Sequence, residues 1–396
     1  MRVPEIINAD QMRSINRTAI LEVIRQYSPI ARSDIGRMLG LSLPTVMRIV
    51  DELFLENMVC YSDTRSNNIR RRELIEYNKN GHTVIGLNLD GVNLYAALAN
   101  IGGDIITEML LEQHGTTGEK SLELVMDTIQ TLLKAPRNEA QSILGIAIGI
   151  PGVTHTKSGV VEWAPSLQWR GLELKQKLEA RFNLPVAVDN DLNLAALGEN
   201  WFGVGQGTHE MVLIATGAGA GAGVIIDGAI YRGAGESAGE IGYMITDRAA
   251  LKKPYPNYGP LEAQISSDAI VQKSREILAK QQPGSELGIR CADDVFTAAR
   301  QQQPWAVDIV AETAAYLSMT VANITALINP ELVALGSGLA AGADLLIPLV
   351  FANLKDTLPY LPRIEASTLG HRASVMGAIA ITVHHSSDYY VVKKLY

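Results

Sequence analysis

The side chains in this sequence best suited to gripping an anion are the arginines of its first eighty residues. Residues 1–80 hold twelve Lys/Arg against ten Asp/Glu, and eleven of those cations are arginine, whereas the remainder holds twenty-two against thirty-two. A guanidinium offers a planar fork of donors that matches phosphate oxygens, and Arg65, Arg70, Arg71 and Arg72 crowd into eight residues of a polar segment. Such a cluster suits the backbone or minor groove of DNA, where each neutralised phosphate releases counterions and adds salt-dependent affinity. Ordinary surface charge also produces a small positive excess, so placement has to decide. A second signal lies at Gly217, Gly219, Gly221 and Gly223, which alternate with alanine. Bare backbone there either cradles a phosphate or marks a tight strand connection. Cys60 and Cys291 stand far apart with no metal-ligand or redox spacing, and both read as structural thiols in a reducing compartment.

Apolar spacing says which elements carry these groups. Gln11 to Tyr27 repeats Ile15, Ala19, Ile20, Val23 and Ile24 at helical intervals until Ser28-Pro29 stops the pattern. A shorter helix is predicted from about Ala31 to Leu39, with Ile35, Met38 and Leu39 turned inward and Gly40 supplying a tight turn. The third helix is best marked. Ser42 is a good N-cap, Pro44 falls in the first turn where a missing N–H costs little, and Val46, Ile49, Val50 and Leu53 form one apolar face. Two helices joined by a glycine turn, the second opening on Ser42, Leu43, Pro44 and Thr45, have the form that sets the second helix in a DNA major groove. Ser42, Leu43, Thr45 and Arg48 are the candidate contacts on it, with Thr45 and Arg48 as base readers and Glu52 also facing solvent. Met58–Tyr61 and Leu74–Tyr77 read as the strands of a wing whose tip carries the four arginines. A small helical bundle used for protein contact is the competing reading of this head.

From residue 81 strands alternate with helices. Predicted strands cover 83–89, 94–100, 104–110 and 143–150, with a helix near Ser121–Lys134; a helix near Leu172–Phe182, the strand 185–188 and a helix from Leu192 to Trp201 complete a first lobe. The strand 211–216, the glycine run, the segment 224–233, a long helix near Ala306–Leu327 and the strand 332–336 mark a second. This order predicts α/β lobes with helices over the sheets and a ligand cleft between them. The expected domains are a winged helix-turn-helix at 1–80 and a body at 81–396, with lobes at about 81–191 and 192–375 and the C-terminal helix returning to the first. No run of eighteen apolar residues suggests a membrane span, and the N-terminus lacks the apolar core of a signal peptide. A cytoplasmic protein without a membrane partner is expected.

Six segments occur in order: GIPGV at 149–153, VDNDLNLAALGE at 188–199, ATGAGAGAGVIIDGAIYRG at 215–233, SAGEIGY at 237–243, GPLEA at 259–263 and NPELVALGSGLA at 329–340. Chance agreement of six ordered motifs is negligible. The chain resembles the ROK family of repressors, open reading frames and sugar kinases over nearly its whole length, head included. The resemblance implies an α/β chain in which an N-terminal winged helix-turn-helix is followed by a two-lobed actin-like ATPase domain, ribonuclease H-like and of sugar-kinase type. It also implies a hexose-type pocket and self-association as a homodimer or homotetramer; the family's repressor branch, with xylose and N-acetylglucosamine repressors, carries such a head. In the family's kinases the aspartate of an Asn-Asp pair takes the proton from the attacking sugar hydroxyl, work worth ~10²–10⁴-fold in rate. Asp191 matches that base, and the same geometry binds a sugar without chemistry. Asn190 and Asp191 are expected to hold neighbouring hydroxyls, and Glu240 and Glu262 match two further carboxylates that contact the sugar. The bland alternatives are Asp191 as an N-cap and Glu262 as an exposed helix residue.

Departures from the family pattern carry as much information as the matches. The kinases open the body with Asp-x-Gly-Gly-Thr-Lys, whereas this chain reads Asn88, Leu89, Asp90, Gly91, Val92, Asn93. Asn88 lacks the charge that helps organise a magnesium-bound phosphate, and Asp90 puts an anion where phosphate needs close, neutral backbone approach. Phosphoryl transfer rests almost wholly on such positioning and charge, so catalysis is expected to be lost or vestigial, with no catalytic residue and no ATP cofactor. Asn88, Asp90 and Gly91, with Gly217, Gly219 and Gly221, read as vestigial phosphate loops. The zinc that family members commonly hold with one His and three cysteines is not expected either, because the matching residues are Tyr243, Lys253, Tyr255 and Pro260. Tyr243 and Ser166 stand at sugar-contacting positions where the family often has histidine and asparagine. The expectation is a non-enzymatic, sugar-responsive repressor of carbohydrate-metabolism genes that binds a double-stranded DNA operator and a sugar or sugar phosphate. A kinase with residual hexose phosphorylation and a repressor controlled by a protein partner are the rivals.

Overall fold

The computed structural model describes residues 9–62, 73–113, 115–138, 141–255, 259–281 and 288–385. The head is built from α1 (Ala9–Tyr27), a short β1 (Ile30–Ala31), α2 (Arg32–Leu39), α3 (Leu43–Leu55), β2 (Val59–Tyr61) and β3 (Leu74–Tyr77). Ile20, Ile24, Ile35, Val46, Ile49, Val50, Leu53 and Ile75 are fully buried, so each helix contributes one apolar stripe to a single small core. β1 and β2 flank β3 and run antiparallel to it. Gly40, with φ at 64°, ends α2 in the left-handed conformation, and Ser42 Oγ accepts the Thr45 N–H at 3.4 Å to start α3. Met38 does not turn inward as expected; it is exposed, and Gly36 is buried in its place. The reason is close backbone approach, since a Cβ on Gly36 would stand 3.1 Å from Leu41 O. Arg65, Arg70, Arg71 and Arg72, the expected wing tip, lie outside the described residues.

Contacts divide the chain into two compact units, Met1–Asp189 with Ala378–Tyr396, and Asn190–Gly377. After the head, the first unit carries β4 (His82–Leu89), β5 (Asn93–Asn100), β6 (Ile105–Glu112), α4 (Glu119–Leu133) and β7 (Ser142–Ile150). A small antiparallel sheet of β8 (Val153–His155), β9 (Val160–Ala164) and β10 (Trp169–Leu172) follows, then α5 (Leu174–Phe182) and β11 (Val186–Asn190). The main sheet has the order β11-β7-β4-β5-β6, with β4, β5 and β6 an antiparallel meander and β7 parallel to β4.

The second unit begins with α6 (Asp191–Phe202), β12 (Met211–Thr216), β13 (Ala220–Ile226) and β14 (Ala229–Ile230). Helices α7 (Glu262–Ile265), α8 (Ser267–Gln281), α9 (Ala292–Arg300) and α10 (Pro304–Ile328) precede β15 (Leu332–Gly336), α11 (Ser337–Ala340), α12 (Ala343–Leu354) and β16 (Arg363–Ala366). Finally α13 (Ala373–His385) carries the chain back into the first unit. The second sheet, β14-β13-β12-β15-β16, repeats the first one's plan: a meander whose first strand is central, then two strands on that strand's other side. Every residue of β12 and β15 is buried, as befits strands covered on both faces. This repeated α/β plan behind a winged head is the actin-like, sugar-kinase type of fold. Among the described residues no helix is long and apolar enough to cross a membrane.

Candidate functional site

Asn190 and Asp191 occupy the junction of β11 and α6. Asn190 has extended backbone (φ −65°, ψ 141°), and its Oδ1 accepts the N–H groups of Leu192 at 2.9 Å and Asn193 at 3.2 Å. Asn190, rather than Asp191, is therefore the N-cap. Those two bonds use the acceptor capacity of Oδ1. Asp191 is the first helical residue; its Oδ1 takes the Leu192 N–H at 2.9 Å, and its charge is favoured by the positive end of the helix dipole. The helix behind the pair is buried from Asn193 to Trp201. Backbones close on it from two sides, since a Cβ on Gly223 would lie 2.3 Å from Leu192 O and one on Gly377 would lie 1.7 Å from Leu194 O.

That packing accounts for half of the glycine run. Gly221, whose added Cβ would meet Leu192 Cδ1 at 2.5 Å, and Gly223 let α6 sit against β13. Gly219 makes room for a carboxylate, standing 3.1 Å from Glu262 Oε2 by the same measure, and that oxygen accepts the Ala220 N–H at 3.2 Å. Of the four, Gly217 alone has open space where a Cβ would be. Glu262, the first residue of α7, is half-buried rather than exposed. Gly242 admits it, because a Cβ there would stand 2.9 Å from Glu262 Oε2 and 2.8 Å from Ala220 O.

Glu240 precedes a 3-10 turn at Ile241–Tyr243, and the Gly239 carbonyl beside it accepts the Ala222 N–H at 2.8 Å, stitching the turn to β13. Partial dehydration raises the Glu240 carboxyl above the usual carboxylate range, and the Glu262 charge adds to this; burial raises Glu262 as well, against the lowering effect of the Ala220 N–H. The Glu240 residue keeps solvent contact even so. Two such carboxylates accept hydrogen bonds from neighbouring hydroxyls. Tyr243 closes the same turn and is 64 % exposed. Asn190, Asp191, Glu240, Tyr243 and Glu262 thus belong to one unit, linked through β13, while Ser166 belongs to the other.

In the first unit the loop after β4 is closed on itself. Asp90 Oδ1 accepts the Val92 N–H at 2.8 Å and the Asn93 N–H at 2.6 Å, while Asp90 N–H donates to Asn93 O at 3.1 Å. The carboxylate holds backbone amides of the kind a phosphate would need. Gly91, at φ 89°, packs on Ser166, whose Cβ an added Cβ would meet at 2.8 Å. Ser166 itself is exposed on a 3-10 turn, Pro165–Leu167.

On the head, Arg48 is exposed and has no ion pair among the described residues. Leu43 and Met47 are exposed beside it, at 48 % and 46 %. Thr45 is half-buried, sharing its hydroxyl with Ser42 Oγ at 2.8 Å. Glu52, expected to face solvent, is half-buried and paired with Arg13 of α1 at 2.6 Å. Met47 was absent from the expected surface because a methionine carries no polar signal; its place one residue beyond Val46, off the buried stripe, was the available clue.

The profile of the ROK family matches residues 84–385. The chain belongs to the ROK family. It is 30% identical over 387 residues to the xylose repressor of Caldicellulosiruptor bescii, covering 95% of this chain and 97% of that protein. A glucokinase of Halalkalibacterium halodurans is 29% identical over 307 residues, covering 74% of this chain and 92% of the relative. A solved structure of a ROK family transcriptional regulator, a homologue of the E. coli MLC protein, has a TM-score of 0.84 at 24% identity, covering 97% of this chain and 99% of that one. ROK relatives of this chain thus include repressors and kinases.

Where the ROK zinc pattern has its ligands, Tyr243 and Lys253 are exposed, Tyr255 is half-buried and Pro260 is buried. Backbone holds this loop: Leu261 N–H donates to Gly242 O at 3.1 Å, and Gly259 lies so near that a Cβ would stand 2.0 Å from the same oxygen. Glu199, the last residue of the 188–199 motif, had no assigned role. Fully buried, its carboxylate accepts the Ser367 and Thr368 hydroxyls and the Val204 and Leu369 N–H groups. A carboxylate following the apolar run Leu194–Leu197 was the signal for it.

Proposed function

We propose that this ROK protein is a cytoplasmic, sugar-responsive repressor of carbohydrate-metabolism genes, active as a homodimer or homotetramer. One observation carries the reading. An α3 with Arg48 exposed and without an ion pair among the described residues heads the same chain as a ROK body whose first loop gives its Val92 and Asn93 amides to Asp90. An anion already fills that loop, so the terminal phosphate of a nucleotide has no cradle there. Asn88 stands where the family's kinases carry the carboxylate that helps organise a magnesium-bound phosphate, and the segment's own carboxylate, Asp90, is engaged with backbone amides. ATP and zinc have no part in this reading, and Asp191, which matches the kinase base, serves as a hydroxyl acceptor in the same unit as Glu240 and Glu262. Paired heads meet successive major-groove half-sites, ~34 Å apart per helical turn, and sugar occupancy shifts the population of the DNA-competent arrangement.

The xylose repressor relative makes D-xylose the first sugar to try. Fluorescence anisotropy of an operator duplex, selected from a random pool by the full chain, is to be measured with and without D-xylose, N-acetylglucosamine, glucose and their phosphates. The expected outcome is a weaker complex with one of these sugars and no ATP turnover. Silence across the panel favours control by a protein partner, and hexose-dependent ADP release at ordinary rates restores the kinase reading.

A further inference from the structure

The connection between head and body is a bonded hub centred on His82. α3 ends at its C-cap Glu56, and Asn57, at φ 60°, turns the chain so that Met58 N–H returns to Leu53 O at 2.9 Å. The Glu56 carbonyl is one of the orphan acceptors that a helix end leaves over. His82 Nε2 lies 2.7 Å from it, and His82 Nδ1 lies 2.8 Å from Ser142 Oγ. Because a carbonyl only accepts, Nε2 carries the hydrogen, and in the neutral ring Nδ1 then accepts from the serine hydroxyl. A single tautomer therefore ties the last turn of the recognition helix to the first residues of two central strands, β4 and β7, in which His82 and Ser142 are register partners.

The surrounding residues stiffen this joint. Asn57 Nδ2 donates to Gly81 O at 3.2 Å, Asn78 Nδ2 donates to Asn57 O at 3.0 Å, and Gln141 Nε2 donates to Asn80 O at 2.8 Å. Residue 81 has to be glycine, since a Cβ would stand 2.0 Å from Asn57 O. Arg17 of α1 pairs with the Glu56 carboxylate, adding the first helix to the same knot. At its far end β4 runs straight into the Asp90 turn that packs on Ser166, about 26 Å away at the usual strand rise of ~3.3 Å per residue. The β4–β7 ladder also changes register between Thr83 and Ile85, just above the hub, a local irregularity of the kind that bends and twists a strand.

We propose that His82 is a positioning residue that fixes the angle of α3 on the sheet of the first unit, so that a shift at the Asp90–Ser166 end of β4 is delivered to the DNA-reading helix. This rests on the repressor reading above. The test compares wild type, His82→Leu, His82→Gln and Ser142→Ala as full chains. Operator affinity is read by anisotropy with and without the panel sugar that weakens the wild-type complex, and binding of that sugar is read separately by calorimetry. His82 is half-exposed, so water has access to replace both bonds in His82→Leu. Wild type is expected to show a sugar-dependent ratio in the ordinary range of allosteric coupling, about 5- to 150-fold. His82→Leu is expected to bring that ratio to within about twofold of unity while sugar affinity stays unchanged, and His82→Gln, which keeps a donor for Glu56, is expected to recover part of it. Ser142→Ala, which removes one of the two bonds, is expected to fall between them and reads the joint even if His82→Leu does not fold. A wild-type ratio in both His82→Leu and Ser142→Ala, or loss of sugar binding in parallel with the ratio, overturns the inference. No ratio in wild type overturns the repressor reading and this inference with it.

Discussion

Replacing Arg48 with alanine separates reading of DNA from folding. Arg48 is exposed, lies off the Val46–Leu53 stripe and has no ion pair among the described residues, so its loss is expected to leave stability within about 0.5 kcal/mol. A good base contact contributes about 1–3 kcal/mol of discrimination, which converts to a fall of roughly 5- to 150-fold in operator affinity. Random duplex keeps its affinity apart from the share of one phosphate contact. Competition of labelled operator against unlabelled random duplex measures both, at one fixed salt concentration because the backbone term depends on it. Thr45→Ala is the internal comparison. Its hydroxyl bonds Ser42 Oγ at the start of α3, so it is expected to lose operator affinity and also about 0.5–1 kcal/mol of stability through a loosened cap. Equal losses on operator and random duplex for Arg48→Ala, or a melting shift as large as that of Thr45→Ala, refute the assignment of Arg48.

Asp191→Asn keeps the shape of the residue beside the Asn190 cap and is expected to abolish the sugar response while operator binding stays intact; an unchanged response removes Asp191 from the sugar set. Glu240 and Glu262 have raised folded-state pKa values, so their contribution to stability is fully present below the ordinary carboxylate pKa and is lost as pH rises through the raised values. Urea midpoints are expected to reflect that loss as pH rises above the ordinary carboxylate pKa, and Glu262→Gln, which removes the repelling charge, is expected to flatten the dependence; an unaltered slope counts against the pair. Glu199→Ala leaves buried donors from Val204, Ser367, Thr368 and Leu369 without their acceptor. It is expected to cost about 3 kcal/mol or more in denaturant unfolding, and a cost under ~1 kcal/mol contradicts that role.

Elements whose local signals agree were legible in the sequence. Met211–Thr216 and Leu332–Gly336 are fully buried β-branched and aliphatic runs bounded by turn residues, and their limits match residue for residue. α3 announced itself through the Ser42 cap and its apolar stripe. Failures arose where tertiary proximity decides. Met38 yields its expected inner place to Gly36 because the backbone approaches there, and the glycine run divides its service between α6 and Glu262, neither of which is its sequence neighbour. Two adjacent polar residues gave no sign of which would cap α6, and Asn190 does so because its backbone is extended while that of Asp191 is helical. The Asp90 turn was legible as chemistry, an anion in a phosphate loop, but the closure of its carboxylate onto Val92 and Asn93 needed coordinates. His82 had no local signature, since both its partners lie more than twenty residues away.

The most direct measurement is one titration of the purified full chain bound to its selected operator, with D-xylose and the other panel sugars added in the presence of ATP and magnesium, while DNA occupancy and ADP are followed together. Release of operator by one sugar at constant ADP is the expected result. ADP accumulating at ordinary enzyme rates, about 1–10³ per second, with the operator complex undisturbed contradicts it.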